Sequence, residues 1–112
     1  MPHRPILYIA GPYTKGDVVM NVRKAISIAS LARARGWLPF CPHLSHLWHL
    51  VDPHAYNFWL EMDLEWLELA DALYRLVGES AGADAEVAAA RARGIPVYTT
   101  HVPVAPSMEA AS

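Results

Sequence analysis

The chain has very little sulfur chemistry to offer: Cys41 is the only cysteine in 112 residues. One thiol excludes both an internal disulfide and a thiolate metal cluster. Positive charge is also scarce, with 9 Lys and Arg against 11 Asp and Glu, a net charge of −2 and no basic run. That balance argues against a protein that grips a nucleic-acid backbone, and a nucleic-acid polymer is not an expected partner. No apolar run approaches the roughly 20 residues of a membrane span. The opening Met-Pro-His-Arg-Pro leads into only a short apolar run before Gly11-Pro12, too brief for a signal peptide. A cytoplasmic protein with no membrane partner is the expectation. Two phosphate-binding fingerprints, G-x-G-x-x-G and G-K-[ST], are missing, as is the zinc pattern H-E-x-x-H.

What is present fits one well-packed domain. Hydrophobic residues make up 54% and charged residues 18%, which excludes a disordered chain. Pro5 to Ala10 is an apolar run closed by Gly11-Pro12, the pattern of a buried parallel strand. After the loop Tyr13 to Asp17, the spacing of Val22, Ala25, Ile26, Ala29 and Ala32 predicts a helix from Val18 or Asn21 to Arg35, stopped by Gly36. Trp37 to Cys41 reads as a second strand, placed at an edge by Pro39. The histidine-rich stretch from Pro42 to Pro53 is assigned no structure. A helix over Ala55 to Leu69, a strand over Ala72 to Val77, a helix from Ala83 to Arg93 and a strand over Ile95 to Thr99 follow. The remainder from residue 101, with Pro103, Pro106 and small residues, reads as a loose tail or an arm onto a partner. Strict alternation of strand and helix predicts an α/β fold: a doubly wound parallel sheet of about four strands with helices on both faces. Ligands in such sheets bind beyond the C-terminal strand ends, which places Gly11 to Lys15, Pro42-His43 and Gly78 to Glu86 on one rim.

Two carboxylates stand out. Ser80 and Gly82 can start the helix that carries Glu86 and leave N–H groups open to an anion. Glu86 follows Gly82 by four residues, on the same helix face. Its bland reading is a solvated glutamate paired with Arg93, but the small residues around it leave room for a ligand. Asp63 is singled out by geometry. At about 100° per residue, Glu61, Glu65 and Glu68 make an outward acidic stripe, whereas Asp63 lies with Trp59, Trp66, Leu67 and Ala70. A carboxylate on an apolar face has a raised pKa and suits proton donation, with a structural loop cap as the equal alternative. Asp71 reads as a turn former and Lys15 as a solvated loop lysine. Tyr8 is either a core aromatic or a hydroxyl aimed at the carboxylate. His43 can line the site, while His46 and His49 read as surface residues beside Trp48, because the spacing of His43, His46, His49 and His54 fits no metal site. Cys41 reads as buried and inert.

Leu7-Tyr-Ile-Ala-Gly-Pro12, Asp63 with Asp71 eight residues on, and Ser80-x-Gly82-x-x-x-Glu86 followed by Gly94-Ile-Pro-Val97 together resemble the nucleoside 2-deoxyribosyltransferase superfamily. That superfamily includes the 2'-deoxynucleoside 5'-monophosphate N-hydrolases. The resemblance implies a flavodoxin-like, three-layer fold over residues 1–100, a homodimer or higher oligomer, and a cofactor-free, metal-free retaining attack on the anomeric carbon. It implies Glu86 as nucleophile, Asp63 as the group handling the proton of the leaving base, and Tyr8 as the residue orienting the nucleophile. Gly11, Pro12, Tyr13, His43, Ser80 and Gly82 are the implied substrate contacts. A serine at position 80 matches the monophosphate hydrolases and leans the substrate toward a 5'-monophosphate, although Glu79 and Asp84 add negative charge there.

Three hypotheses follow. The first is an enzyme of the N-glycosidic bond acting on a small nucleoside or nucleotide. The second is a non-catalytic nucleotide-binding module of the same fold. The third is a metal hydrolase built on the histidines.

Overall fold

The computed structural model describes residues 3–106. Four strands, β1 (Ile6–Ala10), β2 (Leu38–Phe40), β3 (Ala72–Arg75) and β4 (Val97–Tyr98), form a parallel sheet in the order β2-β1-β3-β4. The connecting helices are α1 (Val18–Ala34), α2 (Ser45–Val51), α3 (Tyr56–Leu67) and α4 (Ala81–Ala92). This is the flavodoxin-like, doubly wound arrangement, with Pro39 on an edge strand as its missing N–H demands.

Alternation along β1 builds two cores. Tyr8 and Ala10 pack with Leu73, Leu67, Ala83 and Ala90 on the side of α3 and α4. Leu7 packs on the other side with Ala32 and Trp37, and Ile9 with Ala25, against α1. A period of two along a strand therefore decides that Tyr8 faces α4. The order of strands reverses between β1 and β3, so a crevice opens beyond their C-terminal ends.

Local chemistry sets the boundaries. The Asp17 side chain accepts from Met20 N at 3.1 Å and starts α1. Ser80 does the same for α4, its Oγ accepting from Ala83 N at 3.1 Å. Asp71 bridges the entries of β1 and β3: its Oδ2 accepts from Ile6 N at 2.7 Å and its own N–H donates to Ile6 O at 2.9 Å.

The structure departs from the sequence reading in three places. Pro42–Leu44 forms a 3₁₀ turn that runs into α2, so the unassigned histidine stretch is mostly helical. The tail begins later than residue 101. Val102 is buried, its carbonyl accepts from the Arg35 guanidinium, Pro103 O accepts from Trp37 Nε1 at 2.8 Å, and Ala105 N donates to Arg35 O at 2.9 Å. Residues 107–112 of the expected tail lie outside the described residues. Finally, Trp66 is 46% exposed and stacks on Phe40 with centroids 4.8 Å apart, so it does not share the buried side of α3 with Leu67. No helix among the described residues is long and apolar enough to cross a membrane.

Candidate active site

A cavity of about 540 Å³ occupies the crevice. That is within the range of small-molecule sites. Its walls come from the loop after β1 (Tyr13, Lys15), from His43, from α3 and from the start of α4.

Helix α4 supplies the first carboxylate. Ala83, Glu86 and Ala90 are its buried stripe, and the two alanines let the helix pack closely on the sheet. Glu86 thus occupies an inward position, 6% exposed, where its Oε2 accepts a hydrogen bond from the Tyr8 hydroxyl. Tyr8 itself is completely buried behind Glu86 and does not line the cavity. Burial pushes the Glu86 carboxyl up from 4.5 to about 7; the Tyr8 hydrogen bond and Arg75 pull it down, and Asp63 pushes it up. Burial, followed by the charges of Glu86 and Asp63, raises the Tyr8 phenol so far that it remains a hydrogen-bond donor.

Helix α3 supplies the second. Tyr56, Trp59, Leu60 and Asp63 all line the cavity, at the helical spacing of one face. Burial pushes Asp63 from 3.8 to about 7. Among the described residues no hydrogen bond offsets that cost at Asp63, whereas Glu86 accepts from the Tyr8 hydroxyl. Of the two, Asp63 is therefore the better holder of a proton and Glu86 the better anion. Burial, and then the nearby Glu86 and Asp63, also raise the Tyr56 phenol.

Ser80, Ala81, Gly82 and Ala83 bring the first turn of α4 to the cavity. A Cβ on Gly82 would collide with the Tyr56 hydroxyl, so the bare glycine is what lets α3 close against this turn. The negative charges flanking the turn are both answered. Arg75 donates to Asp84 Oδ1 at 3.0 Å and to Gly78 O at 2.9 Å, and Lys15 Nζ lies 3.4 Å from Glu79.

Other expected site residues fall differently. Tyr13, His43, Ser80 and Gly82 line the cavity, but Gly11 and Pro12 do not. Gly11 is there for packing: a Cβ would come within 2.8 Å of Leu76 Cβ, across to the neighbouring strand's exit. Pro12 is buried with its ring against Gly78, where a Cβ would meet Pro12 Cγ at 2.6 Å and where φ is +128°. Pro12 also accepts through its carbonyl from His43 Nε2 at 2.9 Å. That bond makes Nε2 the donor, and among the described residues His43 Nδ1 is left buried without a protein partner. Burial lowers the His43 pKa and keeps the ring neutral.

Of His46 and His49, the two histidines expected at the surface, His49 lines the cavity, and so does His54, for which the sequence suggested no role. His46 Nδ1 is 2.5 Å from the Tyr13 hydroxyl. The cause is the α2 helix: it turns the chain back through residues 52–55, so His49 and His54 meet Trp59 of α3. Glu86 does not pair with Arg93, which instead reaches Glu68 at 2.6 Å. Arg75, Tyr56 and Trp59 were not singled out as site residues. The signal for the last two was present, since they precede Asp63 by seven and four residues. Cys41 is buried and its thiol is pushed up, mainly by burial, which leaves it unreactive. Among the described residues no three His, Cys, Asp or Glu side chains gather as a metal site would require.

Residues 5–100 match the family described as a domain of unknown function, DUF7768. The chain belongs to that family. No curated protein matches it. Among solved structures, a 2-deoxyribosyltransferase from the psychrotolerant bacterium Bacillus psychrosaccharolyticus is similar, with a TM-score of 0.61 and 24% identity over 84% of this chain and 70% of that one. At this identity the likeness shows the shared fold.

Proposed function

We propose that this member of the family cleaves the N-glycosidic bond of a 2'-deoxynucleoside or its 5'-monophosphate. The observation that carries the reading is a pair of raised carboxylates on one cavity, with Glu86 hydrogen-bonded by Tyr8 and Asp63 not. The similarity in fold to a 2-deoxyribosyltransferase adds weight.

Glu86 as carboxylate attacks the anomeric carbon while the carbon–nitrogen bond breaks and its electron pair leaves with the base. Asp63 gives its proton to the departing base. The sugar is then a glycosyl ester on Glu86. Water, or a second base, attacks the same carbon, gives its proton to the Asp63 carboxylate and releases Glu86. Two carboxyl groups thus share nucleophilic and acid–base work, as in retaining glycosidases. Tyr8 is a positioning residue: its hydroxyl holds Glu86 in line. The Ser80–Gly82 turn, at the start of α4, offers helix N-terminal N–H groups to a 5'-phosphate.

The test is a panel of 2'-deoxynucleosides and their 5'-monophosphates, with and without free bases, read for released or exchanged base. Turnover with a preference for the monophosphates is expected. Binding without base release would instead leave a nucleotide-binding module.

The reading includes self-association. Leu47, Leu50 and Val51 on α2, the helix that carries the cavity residue His49, are 67%, 64% and 87% exposed, and a second copy would cover them. Light scattering should give the mass of a dimer or larger assembly, and Leu50→Glu should lower it. A monomer at micromolar concentration would remove this part of the proposal.

A further inference from the structure

His49 has one ring nitrogen whose role the surrounding donors decide. Its Nδ1 is 3.0 Å from Trp59 Nε1 and 3.3 Å from the backbone N of His54. An indole nitrogen and a peptide nitrogen can only donate, so Nδ1 must accept both hydrogens. In the neutral ring the proton then sits on Nε2. Among the described residues Nε2 has no protein partner, nor is it sealed from solvent without one, as His43 Nδ1 is. His49 lines the cavity. It therefore offers the cavity an N–H donor of fixed tautomer. The ring is steadied further by its edge contact with Trp59, centroids 5.7 Å apart.

Position along α3 says what that donor meets. Asp63 stands one turn from Trp59 along α3, and Trp59 donates to His49, so the three line the same cavity in sequence of contact. A base whose glycosidic end is at Asp63 and Glu86 and that lies along Trp59 presents its distal edge to His49. This part of the wall is aromatic, with Trp59 and His54 lining the cavity and Phe58 stacked on His54 at 3.8 Å. Resting on the N-glycosidase reading above, we infer that His49 is a base-specificity residue whose Nε2–H selects nucleobases carrying an oxo group, rather than an amino group, on the edge farthest from the sugar.

An oxo group accepts the Nε2 hydrogen. An amino group sets donor against donor and leaves the Nε2–H unpaired in a partly closed site. The Trp59 indole and the His54 amide thus act through His49: by occupying Nδ1 they prevent the ring from offering an acceptor instead.

The experiment measures equilibrium binding of four 2'-deoxynucleoside 5'-monophosphates to the full chain carrying Glu86→Ala, where turnover does not confuse the reading. Hypoxanthine is compared with adenine, and uracil with cytosine, since each pair differs in oxo against amino at the distal edge. The oxo member of each pair should bind about tenfold or more tightly. His49→Phe should bring the pair together, and His49→Gln, which keeps an N–H donor, should recover part of the difference. Nitrogen-15 spectra of the wild-type imidazoles should place the His49 proton on Nε2. Equal binding within both pairs, a preference that survives His49→Phe, or a proton on Nδ1 would each overturn this inference and leave the N-glycosidase reading standing. Binding of none of the four would overturn the reading beneath it as well.

Discussion

Glu86→Ala is expected to lower base release by about 10³-fold or more, with the folded state retained. On the proposed reading the substitution removes the nucleophile, and among the described residues the other carboxylates on the cavity are Asp63 and the exposed Glu79. Asp63 lacks the hydroxyl donor that Tyr8 gives Glu86, and burial pushes its carboxyl up to about 7, which favours the protonated, poorly nucleophilic form. Tyr8 is sealed in the core. Retention of the fold is expected because alanine already lines the same stripe at positions 83 and 90. Asp63→Asn should cost less, about 10²-fold, since it removes proton transfer but leaves the attacking group. Chromatographic measurement of released base under single-turnover conditions separates the two. Equal activity in wild type and Glu86→Ala would defeat the mechanism outright.

The second large effect has the opposite sign and concerns stability. Folding raises Glu86 from 4.5, and Asp63 from 3.8, to about 7. Between about pH 4 and pH 7 the folded protein therefore binds more protons than the unfolded chain, and its unfolding free energy falls as pH rises through that window. Above about pH 7 both groups are ionised in the fold and the destabilisation is complete. Glu86→Gln, which keeps the acceptor for Tyr8 without the charge, should raise unfolding free energy by about 1–3 kcal/mol at about pH 8 and by little at about pH 4. Asp63→Asn should act the same way. Together they should give less than the sum, because removing one charge relieves the other. Urea denaturation across that pH range reads this directly, and a gap that stays constant with pH would contradict the burial account. A site that stabilises the protein when disabled is one whose strain serves chemistry.

Much of this arrangement was legible in the chain. Glu86 could be found because a serine cap, two small residues and an alanine-rich helix set it on an inward stripe. Asp63 was visible as the one acid off the outward stripe of Glu61, Glu65 and Glu68. The order of strands and helices followed from short apolar runs separated by helical spacing. The misses have physical causes. His49 and His54 depend on α2 doubling back onto α3, a tertiary contact between two segments with no shared periodicity. Gly11 and Pro12 lie on the expected rim, yet their role is close packing against Leu76 and Gly78, which only the crossing of neighbouring strands reveals. Val102 sits in a segment with loop composition, and its burial is decided by hydrogen bonds from Trp37 and Arg35 to the residues around it. Trp66 looks apolar in the sequence, but half-buried stacking on an edge-strand phenylalanine satisfies it.

The central claim is a bond between Glu86 and the sugar. Rapid acid quench of the protein with a turned-over 2'-deoxynucleoside 5'-monophosphate, followed by peptide mass spectrometry, tests it most directly. The expected result is a peptide containing Glu86 heavier by one deoxyribosyl phosphate, absent from the Glu86→Ala protein. Base release that proceeds with no adduct on Glu86, or with the adduct on another residue, would contradict it.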